Sequence, residues 1–260
     1  MNGREYDKKL DMVKHYWQIG SYKNMRRACM DALGDNPADP WVLSALTVAY
    51  YELGNFSACV RTGTDALAHQ TPQGQALVYD TLGNERFCHE DYAKAAEHYK
   101  KAAECRPEIA GYLAHYATAL AFLGRMDEAQ ALLERAEAVN PQNYSVLEAK
   151  NRIYYQFRRD RKTEEETLSR MLPLSASPFF MNWLLADFHY KYGEFQEAHA
   201  YYVKAALARP DDASTREMLR KLEERGYGGI RQVESSASGE TASEIDLNHL
   251  DSALFRAASC

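Results

Sequence analysis

The chain has 260 residues, 46 % hydrophobic and 26 % charged, which is enough apolar material for a packed core. Its 31 basic and 37 acidic residues leave a net charge of −6; this argues against a general nucleic-acid binder, whose affinity comes from Lys and Arg neutralising phosphates. The longest apolar run, Trp41–Tyr51, contains Ser44 and Thr47 and falls well short of the ~20 residues that a bilayer span needs.

The first residues, Met-Asn-Gly-Arg-Glu-Tyr-Asp-Lys-Lys, have no apolar stretch behind them, and the five cysteines lack paired spacing. The expectation is therefore a reduced, cytoplasmic protein without a disulfide framework. Val (9) and Ile (5) are scarce while Ala, Leu, Glu, Lys and Arg are plentiful, which favours helix over sheet.

In chain order, the periodicity places repeat starts near Tyr6, Pro40, Ala76, Ala110, Tyr144 and Phe179, each predicted as a helix–turn–helix unit. All eight prolines fall between helical stretches, and Gly20, Gly54, Gly124 and Gly193 sit in the predicted turns. A small residue near the start of each second helix (Cys59, Ala95, Ala129, Ala198) recurs seven positions later (Ala66, Ala102, Ala136, Ala205). Seven residues is two helical turns, so both lie on one face and let a neighbouring helix approach closely. Tyr99, Leu133 and Tyr202 fill the space between them.

The third unit reads Tyr79-x2-Leu82-Gly83-x2-Arg86, then Asp91-Tyr92, Ala95, Tyr99, Ala102 and Pro107. This resembles the tetratricopeptide repeat (TPR), a 34-residue helix–turn–helix with a W-x2-LG-x2-Y…A-x3-F…A…P pattern. The resemblance covers six consecutive units, from residue 6 to about 212. It implies an all-α, right-handed α–α superhelix of six TPR units.

The fifth unit departs from the pattern. It is one residue longer, carries Lys150, Asn151, Asp160, Thr163, Thr167 and Arg170 at small or apolar positions, and is interrupted at Met171–Pro178. An extra residue in its turn would move Leu168 and Met171 into the packing positions. Drift at one seam and a hinge before repeat six both fit. A capping helix is expected at about 212–225, closing a solenoid domain over 1–227. Residues 228–260 read as a flexible acidic tail, with a short amphipathic helix at 244–257 carrying Leu247, Leu250, Leu254 and Phe255. That stripe either docks in the chain's own groove or belongs to a mobile tail.

No catalytic motif is present: there is no HExxH, CxxC, GxSxG or P-loop. The histidines are scattered over different units, and Cys88-His89-Glu90-Asp91 falls in a predicted turn, so neither catalysis, a metal site nor a cofactor is expected. The resemblance implies that first helices line a concave groove where protein ligands bind. At the inward positions stand Trp17, Trp41, Tyr51, Asn84, Phe87, Phe122, Arg152, Tyr155, Phe180, Trp183, Asp187, Tyr190 and Lys191, with Lys14, Asp80, His115 and Glu148 among them. Tyr51, Phe87, Tyr155 and Tyr190 also suit core filling between helices. The Lys and Asn pattern of carboxylate-clamp repeats is not met in any three-unit window. The expected function is a non-catalytic scaffold, adaptor or chaperone holding a peptide or helical segment; the alternative is a self-assembling structural protein that forms homo-oligomers.

Overall fold

The computed structural model describes residues 3–175 and 177–227. The tail stripe Leu247, Leu250, Leu254, Phe255 and the helix expected at 244–257 lie outside the described residues. Among the described residues every regular element is helical. The described residues divide into two compact units, one ending at Ile153 and the other beginning at Tyr154. The boundary falls inside repeat five.

Unit 1 contains α1 (Gly3–Gln18), α2 (Tyr22–Asp35), α3 (Pro40–Glu52), α4 (Phe56–His69), α5 (Pro72–Cys88), α6 (Tyr92–Cys105), α7 (Ala110–Phe122), α8 (Met126–Val139) and α9 (Tyr144–Ile153). Odd and even helices pair as antiparallel hairpins, and α1, α3, α5, α7 and α9 pack side by side. Unit 2 opens with a five-residue π-helix, Tyr154–Arg158, followed by α10 (Arg161–Met171), a 3-10 turn at Leu172–Leu174, α11 (Pro178–Lys191), α12 (Phe195–Ala208) and α13 (Ala213–Glu224).

The helix starts follow from the local sequence. Asp39, Asn55, Thr71, Asp91, Asp160, Ser177 and Asp212 each accept a backbone N–H three residues on, filling a donor that the first turn leaves open. Pro40, Pro72 and Pro178 stand at the first helical position, where a missing N–H costs nothing. The Thr71–Pro72 start sets α5 four residues ahead of the repeat start at Ala76.

The small-residue pattern is the core. Cys59, Ala66, Ala95, Ala102, Ala129, Ala136, Ala198 and Ala205 are all fully buried, with Tyr99, Leu133 and Tyr202 between them. Burial pushes the Cys29 and Cys59 thiols up to about 12, which makes them inert small hydrophobes. Gly83 is required by one close approach: a Cβ there would stand 2.5 Å from the Tyr99 ring.

The turns share one backbone conformation. Gly20, Gly54, Gly124 and Gly193 do take positive φ, but repeats three and five reach the same conformation with Glu90 (φ 61°) and Arg159 (φ 49°). In repeat five the extra residue is absorbed by the π-helix just before the turn, and Leu168 and Met171 are buried at 3 % and 0 % exposure.

Candidate partner-binding surface

Side chains that bridge neighbouring first helices define one face of unit 1. At its first end the Trp17 and Trp41 rings lie 6.4 Å apart, between α1 and α3. Lys14 Nζ is 6.0 Å from the Trp41 ring and 3.3 Å from the Asp11 carboxylate. Trp41 remains 36 % exposed, whereas Trp17 is half-buried. Tyr51 sits further along α3, its ring 6.1 Å from Phe56, and burial pushes its hydroxyl pKa up.

Further along, Phe87 on α5 meets Phe122 on α7 edge-on at 5.1 Å, and Tyr92 closes the triangle at 5.1 and 4.9 Å. The floor beside this cluster is polar. His115 Nδ1 donates to Asp80 Oδ1 at 2.7 Å, linking α7 to α5. Burial pulls His115 toward its neutral form, but the charge and hydrogen bond of Asp80 outweigh it and raise the pKa. The Tyr99 hydroxyl, carried by a buried ring on α6, donates to Asn84 Oδ1 at 2.7 Å. Arg152 on α9 pairs with Glu148 at 3.0 Å and lays its guanidinium 5.6 Å from the Phe87 ring. Seven expected residues therefore share this unit: Trp17, Trp41, Tyr51, Asn84, Phe87, Phe122 and Arg152.

Unit 2 treats the equivalent positions differently. Trp183, Asp187 and Tyr190 are 3, 2 and 6 % exposed, far more enclosed than Trp41. Asp187 faces the Tyr155 and Tyr202 hydroxyls; burial raises its pKa to about 6 against the opposing pull of those hydroxyls and the Lys191 charge. Lys191 is spent internally on Glu164 Oε1 at 2.7 Å and on the Tyr155 carbonyl at 3.0 Å. Burial lowers its pKa, with Glu164 resisting. Tyr155 lies under the Lys191 ammonium at 4.2 Å, and Phe180 is half-buried.

The reading of the sequence missed the buried Glu164 and the Tyr99 hydroxyl as polar partners. Glu164 carried no signal, since it stands in a run of three glutamates. Tyr99 was visible only as a packing residue. Among the described residues no group of three or more His, Cys, Asp or Glu side chains is placed to hold a metal ion, and no helix is long and apolar enough to cross a membrane.

Stacked helical hairpins with a small-residue seam and left-handed turns define an all-α repeat protein, and the comparisons with known structures give that repeat its name. The chain resembles PilF of Pseudomonas aeruginosa at 16 % identity, over 85 % of this chain and 100 % of that one, with a TM-score of 0.57. It resembles PilW, a widely conserved type IV pilus biogenesis factor, at 16 % identity over 82 % and 98 %, with a TM-score of 0.61. A chain of the APC/C Cut9–Hcn1 hetero-tetramer matches at 14 % identity and TM-score 0.70, over 82 % of this chain but only 42 % of that one. The fold is the TPR fold. No protein-family model matches the chain, and no curated protein matches it in sequence.

Proposed function

We propose that the chain is a non-catalytic interaction scaffold, an adaptor or chaperone, whose unit 1 takes a peptide or helical segment along the face formed by α1, α3, α5, α7 and α9. The observation that carries this reading is Trp41, 36 % exposed beside Trp17 and Lys14 on the face where neighbouring repeats meet. A large aromatic kept partly open next to a cation is a typical anchor for a partner side chain. Further support comes from the fold neighbours, one in a hetero-tetramer and one a pilus biogenesis factor. Phe87, Phe122 and Arg152 supply the second contact region, and the Asp80–His115 and Glu148–Arg152 pairs supply polar selectivity.

The test is affinity capture from native lysate with the full chain beside Trp41→Ala and Arg152→Ala variants. A stoichiometric protein held by the wild type and reduced at least tenfold in both variants is the expected result. Undiminished capture by both would remove this face from the function.

Self-assembly is the second reading, and Met12, 45 % exposed in a cleft of about 510 Å³ between α1 and α2, favours it. Against it, Lys8 and Lys9 stand where repeat two has the buried Val42 and Leu43, so this edge is dressed for water. A light-scattering mass that rises with concentration would support assembly.

A further inference from the structure

The second helices α2, α4, α6, α8 and α12 share one frame. In each, the positions two, five and nine residues after the first seam residue lie on the helix side opposite the seam. α4 presents Arg61, Thr64 and Ala68 there, α6 Glu97, Lys100 and Glu104, and α8 Ala131, Glu134 and Ala138. α2, counted from Met25, has Arg27, Met30 and Gly34. Each of these four rows carries a charge. The row of α12 is Ala200, Val203 and Leu207, all exposed and none charged. Val203 is 37 % exposed, and Leu207, at 77 %, is the most exposed large hydrophobic side chain among the described residues. Apolar groups at this spacing are what a second helix face reads as anchors.

The occupant follows from where the chain goes next. α13 packs against α12, and Gly226 turns the backbone so that the Tyr227 N–H reaches the Leu222 carbonyl at 3.0 Å. The Tyr227 ring then lies 5.2 Å from Phe195, the first residue of α12. The described chain therefore ends beside the start of the helix that carries the row. Val203 and Leu207 stand eight and twelve residues further on, roughly 12–18 Å along the axis. Residues 228–246, rich in Gly and Ser, separate this exit from Leu247. A chain of that length and composition has a root-mean-square reach of about 24 Å. Reach and span are comparable, the condition that gives a tethered segment a high effective concentration. The segment it delivers carries Leu247, Leu250, Leu254 and Phe255 at helical spacing. Its Asp246 and Asp251 are opposite in sign to Lys204 and Arg209, the exposed cations at the C-terminal end of α12, whereas Glu197 stands in the first turn.

We propose that segment 247–255 of the same chain lies along α12 and covers Ala200, Val203 and Leu207. The contact is confined to unit 2 and uses the side of α12 opposite its seam, so it leaves the first-helix face of unit 1 untouched. Leucines supply the contact area, and the Asp246 and Asp251 carboxylates meet Lys204 and Arg209.

Photo-crosslinking within the purified full chain tests this. A benzophenone amino acid replaces Ala200, leaving Val203 and Leu207 in place, and ordinary and heavy-nitrogen chains are mixed before irradiation and peptide mass spectrometry. The expected result is a link from position 200 to the 244–257 peptide in which both ends carry the same isotope. Leu250→Asp with Leu254→Asp, both outside the described helices, should lower its yield at least tenfold. Links between unlike isotopes would overturn the proposal by showing a second copy as the occupant. No link to this peptide, or one undiminished by the double substitution, would overturn it as well. If the bulky residue at 200 impairs folding, the same analogue at Lys204 gives the same two readings.

Discussion

The first helices of unit 1 and of unit 2 carry the same kinds of residue at the same repeat positions and use them in opposite ways. In unit 1, His115, Asp80, Glu148 and Arg152 form pairs on a face that Trp41 leaves partly open. In unit 2, Asp187, Tyr190 and Trp183 are sealed in, and Lys191 pairs with a fully enclosed Glu164. A repeat position fixes the direction in which a side chain leaves its helix. Its depth depends on what the neighbouring turn and second helix place above it. Here the π-helix brings Tyr155 toward α11, and Tyr155 and Tyr202 close over Asp187.

The largest effect that would break this contrast lies in the buried pair. Glu164→Ala leaves Lys191 buried without its carboxylate, and should cost about 3–5 kcal/mol in denaturant unfolding followed by a probe in unit 2. The Glu148–Arg152 pair of unit 1, whose Glu148 side chain is 27 % exposed against 1 % for Glu164, should cost less when Glu148 is replaced by Ala. Equal losses would erase the distinction between the units.

Next comes pH. The Asp187 carboxyl has its pKa raised from 3.8 to about 6 in the folded state, chiefly by burial. A raised folded pKa means that the native state holds the proton more tightly than the unfolded chain. The stability this contributes is complete below about pH 4 and is lost as pH rises through 6. Unit 2 should therefore lose about 2 kcal/mol from this group between pH 4 and 7, and Asp187→Asn should flatten that part of the profile. A wild-type slope retained in the Asn variant would assign the dependence elsewhere.

The smallest effect concerns the turns. Arg159 and Glu90 hold φ of 49° and 61°, a conformation that glycine takes at the other repeat turns. Glu90→Gly should gain about 0.5–1 kcal/mol, reduced by the greater freedom of glycine in the unfolded chain. Arg159→Gly should gain a similar amount. Thermal unfolding of the two variants side by side gives the comparison.

Much of the fold was legible in the sequence because close helix packing demands a specific residue size at a specific spacing. Ala95 and Ala102, or Ala198 and Ala205, mark a seam that cannot be built otherwise, and all are fully buried. The left-handed turns at Glu90 and Arg159 were not legible by residue type, since the surrounding helices impose the conformation whatever the side chain. The π-helix was visible only as one surplus residue, because a polar stretch does not mark where an insertion is absorbed. The candidate surface was half legible. Trp41 and Arg152 stand where the repeat pattern directs them, but Trp183 and Asp187 share that pattern and are buried by neighbours remote in sequence.

The most direct test of the central claim, that unit 1's first-helix face receives the partner, is site-specific photo-crosslinking. A photoreactive phenylalanine analogue replaces Trp41 in one full-length variant and Leu207, 77 % exposed on α12, in another. The account predicts a discrete adduct with another protein from position 41 and none from position 207. Adducts from 207 alone, or equally from both, would contradict it.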